Sequence, residues 1–131
     1  MKKTQESFEY AKRARENAYA PYSHFKVGAA LQLSNGEIIT GCNVENVSLG
    51  ATVCAERVAL FSAIARYGAI KADSLVVVTD HDPPAVPCAL CLQVLMEHVP
   101  PEFPIHIADI NGVVETLTLG QLLPHRFTDF Q

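Results

Sequence analysis

Two cysteine-bearing stretches constrain this chain more than anything else in it: Cys54-Ala55-Glu56-Arg57, and further along Pro87-Cys88-Ala89-Leu90-Cys91. If their thiols act as one set, the fold must bring both stretches together. Cys54, Cys88 and Cys91 then offer three sulfur ligands to a tetrahedral zinc. The fourth position is left to water, which separates a catalytic site from a closed structural one. Glu56 follows Cys54 too closely to be an easy second ligand. Its carboxylate is placed to sit beside that water and move protons. A lone C-x-x-C carries little weight; C-x-E followed by P-C-x-x-C carries much more.

The chain has 131 residues, which suits one domain, 1–131, able to bury a core of its own. Apolar residues make up 49% and charged residues 18%, which excludes a disordered or mucin-like polymer. The strongest apolar run, Leu75-Val76-Val77-Val78, falls far short of the roughly 20 residues a membrane span needs. Met1-Lys2-Lys3-Thr4-Gln5-Glu6 leads into a charged amphipathic pattern and not a signal-peptide core. A reducing cytoplasm is the expected setting, where four cysteines read as metal ligands or free thiols before disulfides. Of the ten basic residues, Lys2, Lys3, Lys12, Arg13 and Arg15 lie near the start, and after Lys71 only Arg126 follows. With a net charge of −4, such a surface repels a polyphosphate backbone. The expected partner is a small uncharged molecule, with no nucleic acid and no membrane.

There is no repeat and no linker long enough to divide the chain. Residues 4–19 read as a helix, with Phe8, Ala11, Ala14, Arg15 and Ala18 near helical spacing, ended by Ala20-Pro21-Tyr22-Ser23. Residues 25–33 and 37–44 read as strands joined at Ser34-Asn35-Gly36-Glu37, followed by a loop from Asn46 to Thr52. Cys54 to Tyr67 reads as a mostly buried helix closed by Gly68. Ser74 to Thr79 is a β-branched run typical of a central, doubly covered strand. After a Pro-rich loop, Cys88 to His98 reads as a helix that starts behind Pro87. Strands at 104–109 and 113–118 meet at Asn111-Gly112, and Leu119 to Leu123 forms a short helical turn. That order predicts a three-layer α/β/α fold around a mixed five-stranded sheet. It also places Cys54 and Cys88 at helix N-termini, with Cys91 one turn inside, where unpaired N–H groups favour thiolates.

With these residues in view, the chain resembles the small, homotetrameric class of zinc-dependent cytidine deaminases. The resemblance runs through Tyr19-Ala20-Pro21-Tyr22-Ser23-His24-Phe25-Lys26-Val27-Gly28-Ala29-Ala30, then Asn43-Val44-Glu45-Asn46. Both cysteine motifs follow, and then Leu122-Leu123-Pro124 with Phe127. It implies a cytidine deaminase-like fold and one Zn2+ per subunit, held by Cys54, Cys88 and Cys91. It implies hydrolysis of cytidine and 2′-deoxycytidine to the uridine forms and ammonia, with Glu56 carrying protons as water attacks C4 of the pyrimidine. Arg57 then steadies the thiolates; Phe25 and Ala55 meet the base. Asn43 and Glu45, alternate residues of a strand end, hydrogen-bond the ribose. Phe127 reaches a neighbouring subunit's site.

Other readings of the same residues stand beside these. Cys42 reads as a buried apolar thiol on a strand, or as the fourth ligand of a closed zinc site in a zinc-stabilised binding protein. Asn43 and Glu45 could be a solvated strand end, Phe25 a core residue, and Phe127 part of its own chain's core. A same-fold deaminase of another aminopyrimidine nucleoside is the enzymatic alternative. The histidines form no ligand set; His24 reads as support for the Phe25 loop. The chain also departs from the resembled pattern. Ala89 replaces a Gly, and its methyl is expected to narrow the pocket. Leu92 replaces an Arg, which removes a cation near the thiolates and shifts that role to Arg57. Leu49 and Val53 stand where Tyr and Asn are common, next to the expected subunit contacts.

Overall fold

The computed structural model describes residues 2–128. Helix α1 (Lys2–Arg15) leads to strands β1 (Val27–Leu33) and β2 (Ile38–Cys42), then a 3-10 turn at Leu49–Ala51. Helix α2 (Ala55–Tyr67), strand β3 (Ala72–Thr79) and helix α3 (Ala89–Leu95) follow, then β4 (Pro104–Asp109), β5 (Gly112–Thr118) and α4 (Leu119–Leu122). The five strands lie in the order β2-β1-β3-β4-β5. Only β3 and β4 run parallel, which makes the sheet mixed as expected. β3 is central and buried from Ser74 to Thr79, in keeping with its β-branched run.

Side-chain alternation along the strands divides the core into two layers. On one face, Phe8 and Ala11 of α1 meet Ala30, Val76, Val78 and Ala108. On the other, Ala59, Leu60 and Ala63 of α2 and Leu92 and Leu95 of α3 cover Ala29, Leu31, Leu75, Val77, Ile105 and Ile107. Two glycines bring the helices onto the sheet. A Cβ at Gly28 would lie 2.0 Å from Ala11 O, and one at Gly41 would lie 2.5 Å from both Ala55 O and Ala59 N. Only a bare Cα lets α2 rest on β2 at that point. Gly41 therefore sets where α2 begins.

Several boundaries differ from the sequence expectation, through bonds to distant segments at α1, β1 and β2 and through a local turn at α3. α1 stops at Arg15 and not at residue 19, because Glu16, Asn17 and Ala18 turn back onto carbonyls three residues earlier. Tyr19 then leaves the helix to bond with Asn43 O (3.0 Å) and to accept from Glu45 N (2.8 Å). β1 starts at Val27, so Phe25 lies in a loop, and β2 ends at Cys42, so Asn43 and Glu45 lie just beyond it. α3 ends at Leu95: His98 N donates to Leu95 O (2.9 Å) in a tightened turn before Pro100-Pro101. Gly68 closes α2 with φ 74°, as its position implied.

Candidate active site

The two cysteine motifs meet at the N-terminal ends of α2 and α3, beside the carboxyl end of β3. Cys54 and Cys88 are the N-cap residues of their helices, in extended conformation, and neither side chain caps its helix. Their sulfurs are thus left for each other. Cys54 Sγ lies 3.9 Å from Cys88 Sγ, and Cys88 Sγ lies 3.6 Å from Cys91 Sγ. All three fall within 4.8 Å of one another and form the one such ligand group among the described residues. A tetrahedral zinc with Zn–S bonds of about 2.3 Å sets its sulfurs about 3.8 Å apart. The donor set fits zinc in number, chemistry and spacing.

Electrostatics point the same way. The hydrogen bond from Cys91 foremost, helped by Arg57 and Cys88, draws the Cys54 thiol down to about 5 against the effect of burial. The same bond and its own burial push the Cys91 thiol far up. Three sulfurs this close cannot all ionise unless a cation joins them. Arg57 supplies part of that charge: its Nη2 donates to Cys54 Sγ at 3.5 Å, and the bond holds the guanidinium protonated. Its buried Nε has no partner among the described residues. Glu56 is 5% exposed in the first turn of α2. Burial foremost, with the Cys54 charge behind it, raises its carboxyl to about 7. A carboxyl at that value both takes and gives a proton at neutral pH.

Cys54, Cys88 and Glu56 open onto a cavity of about 310 Å³, while Cys91 is fully buried beneath them. Such a volume suits a small molecule. Val27, Ala55, Val77, Ala85, Val86 and Phe25 make its apolar walls, and Ser23, Asn43 and Glu45 its polar end. Phe25 is half-buried, its ring edge-on to His81 with centroids 6.0 Å apart at 76°. Asn43 joins the two strands that frame the cavity: Oδ1 accepts from Val27 N (2.8 Å) and Nδ2 donates to Phe25 O (2.7 Å). Glu45 accepts from Tyr22 N (3.0 Å), Ser23 N (3.1 Å) and Ser23 Oγ. The Ser23 hydroxyl foremost holds its carboxyl below the usual value.

The cavity thus gathers Phe25, Asn43, Glu45, Cys54, Ala55, Glu56 and Cys88. Phe127 does not line it. That residue is 64% exposed, with its backbone O held by Gln93 Nε2 at 2.7 Å. Cys42 lies outside the sulfur group, which overturns the closed four-cysteine site. It is half-exposed and not fully buried, with burial enough to raise its thiol pKa. Ala89 is exposed and absent from the cavity wall, so its methyl narrows nothing. Leu92 is 5% exposed in the core under α3, on the helix face turned to the sheet. Val53 pairs with Val44 through two backbone bonds (2.9 and 3.0 Å), and Leu49 stands exposed in the 3-10 turn. Sequence reasoning passed over Ser23, Thr79 and His81. The one available signal was position: ligand sites gather at the carboxyl ends of sheet strands, and β3 ends at Thr79.

The family model for the cytidine and deoxycytidylate deaminase zinc-binding region matches residues 1–107. This chain belongs to that family. Its sulfur cluster is accordingly where it holds one Zn2+. The chain is 44% identical to a cytidine deaminase of Halalkalibacterium halodurans, over 88% of this chain and 86% of the relative. It is 42% identical to a cytidine deaminase of Sporosarcina psychrophila, over 90% of this chain and 86% of that one. The crystal structure of cytidine deaminase from Burkholderia pseudomallei superposes with a TM-score of 0.88 at 44% identity, covering 94% of this chain and 98% of the other. No helix among the described residues is long and apolar enough to cross a membrane.

Proposed function

We propose that the protein hydrolyses cytidine and 2′-deoxycytidine to uridine and 2′-deoxyuridine, releasing ammonia. One observation carries the reading. Two sulfurs of a zinc-spaced set and a buried carboxyl near pKa 7 open onto one largely apolar cavity that Ser23, Asn43 and Glu45 also line. Zinc bound there supplies Lewis acidity that brings a water toward ionisation near neutral pH. The chain's own groups do the rest. Glu56 takes one proton of the attacking water and gives it to the pyrimidine N3. It then takes the second from the new C4 hydroxyl and gives it to the departing amine, which leaves as ammonia as the C4–N bond breaks. Phe25 and Ala55 hold the base in the apolar part, where bulk water is excluded. Asn43 has spent one lone pair and one N–H on the backbone; a second of each remains for a sugar hydroxyl. Glu45, charged and fixed by three donors, accepts from another hydroxyl. Arg57 offsets the excess negative charge of three thiolates.

Residues 1–131 act as one domain in the reducing cytoplasm, where the thiols stay available as ligands. The working form is a homotetramer with sites shared between subunits. That assembly rests on the resemblance to the small, homotetrameric class of cytidine deaminases. A substrate panel tests the activity: cytidine, 2′-deoxycytidine, free cytosine and a C4-substituted cytidine, with turnover followed by ultraviolet absorbance. Cytidine and 2′-deoxycytidine should be turned over best. Preference for the C4-substituted nucleoside would favour the other-aminopyrimidine reading, and equal use of cytosine would remove the sugar role of Asn43 and Glu45. Native mass spectrometry and co-refolding test the shared site. Glu56→Ala and Phe127→Ala chains, refolded together, should recover activity above the sum of the two at low cytidine. A simple sum, with mixing confirmed, would confine Phe127 to its own chain.

A further inference from the structure

The polar end of the cavity holds a hydroxyl that neither the zinc set nor the Asn43/Glu45 pair accounts for. Ser23 Oγ has a single proton, which it gives to Glu45 Oε2, and its oxygen accepts from Phe25 N at 3.0 Å. Both roles of the hydroxyl are therefore used, and together they bridge two chemically different parts of the site. One is the carboxylate, whose Oε1 already takes Tyr22 N–H and Ser23 N–H. The other is the loop that presents the Phe25 ring to the cavity. Between Ser23 and Phe25 stands His24 at φ 58°, a left-handed conformation that an L side chain adopts at a cost. His24 N is tied to Ala20 O at 3.0 Å, and Ser23 Oγ spans the strained residue from the other side. A backbone in that region persists where its surroundings over-determine it, and here the side chain doing so also orients the carboxylate.

We infer that Ser23 is a positioning residue for the nucleoside: its hydroxyl locks the Glu45 carboxylate and the Phe25 loop into one unit, so that sugar and base are recognised together. The inference rests on the reading of Glu45 as the acceptor for a sugar hydroxyl. Without the hydroxyl, Glu45 keeps its two backbone donors on Oε1, but Oε2 turns to solvent. Phe25 N–H loses its partner as well. Substrate binding weakens while the sulfurs and Glu56, on different elements, stay in place. Ser23 is exposed, so water competes for both bonds and the effect is smaller than for a buried charged pair. That exposure also leaves room for the extra methyl of Thr.

The test is steady-state kinetics with cytidine on zinc-loaded Ser23→Ala, Ser23→Thr, Glu45→Gln and the Ser23→Ala/Glu45→Gln double variant, with zinc content measured on each. Ser23→Ala should raise KM on the order of tenfold with kcat within about twofold and zinc unchanged. Ser23→Thr should restore KM to within about threefold of the parent. The double variant should bind about as weakly as Glu45→Gln alone, because the hydroxyl acts through that carboxylate. An unchanged KM in Ser23→Ala beside a raised KM in Glu45→Gln would overturn the inference and leave the sugar reading intact. An unchanged KM in Glu45→Gln would overturn the sugar reading and the inference with it. If Ser23→Ala lowers kcat and zinc together, the hydroxyl is a general structural tie and the inference fails.

Discussion

Gly41→Ala moves the chemistry from a position that touches no substrate. The added Cβ would lie 2.5 Å from Ala55 O and 2.5 Å from Ala59 N, where ordinary contact begins at 3.4 Å. Both obstacles are backbone atoms of α2, so no side chain can swing aside. The first turn of α2 must withdraw by about 0.9 Å, taking Cys54 and Glu56 with it. A misplacement of about 1 Å in a reacting group can cost on the order of 100-fold in rate. The overpacking itself costs about 1–3 kcal/mol of stability. Gly28→Ala, with a still closer clash, is the control on the other face of the sheet. Its Cβ would strike Ala11 O and Arg15 N of α1, which carries no site residue on the opposite face of the sheet. Urea denaturation and kcat with cytidine, both at full zinc occupancy, measure the pair. Gly41→Ala should lose stability and about two orders of magnitude in kcat, and Gly28→Ala should lose stability with kcat nearly intact. Full kcat in Gly41→Ala, or equal losses in both, would refute the idea that α2's seat on β2 positions the site.

On the proposed role of Glu56 as proton carrier and not ligand, Glu56→Gln should lower kcat by several powers of ten while metal analysis still finds one zinc per chain. In the zinc-free protein, Glu56 is raised from 4.5 to about 7. The folded state therefore keeps a proton that the unfolded chain releases, and stability falls as pH rises through that window; Glu56→Gln should flatten the fall in urea titrations. Cys42→Ser should retain zinc and most activity, whereas Ser at Cys54, Cys88 or Cys91 should lose both on metal analysis and assay. Leu92→Arg puts a charge without a partner into the core under α3 and should cost about 3 kcal/mol or more. It should fail to rescue Arg57→Ala in a double-mutant cycle on kcat.

The sulfur cluster and the carboxyl beside it were legible in the sequence because their information is local. Cysteine spacing, the Glu two places after Cys54 and the Pro before Cys88 all act within one helical turn, and the structure keeps them at the ends of α2 and α3. The order of elements along the chain was legible for the same reason: β3's β-branched run and the hairpin turns mark themselves. What escaped was decided across the chain. α1 ends early because Tyr19 finds partners at Asn43 and Glu45, and β1 begins late because Asn43 clasps Val27 and Phe25. Neither partner is near in sequence. Leu92 looked like a vacated cation site beside Cys91, yet successive helical residues diverge by about 100° and Leu92 turns to the core. Ser23 escaped because a serine in a loop has no spacing to betray it. Its role follows from Glu45 arriving beside it in space.

Turnover of cytidine in water enriched with heavy oxygen tests the account most directly, run with parent and Glu56→Gln proteins of equal zinc content. The parent should yield uridine carrying one heavy oxygen at C4, with one ammonia for each cytidine lost, and Glu56→Gln should yield almost none. Uridine without heavy oxygen, or Glu56→Gln turning over near the parent rate, would contradict hydrolysis through Glu56 at this sulfur site.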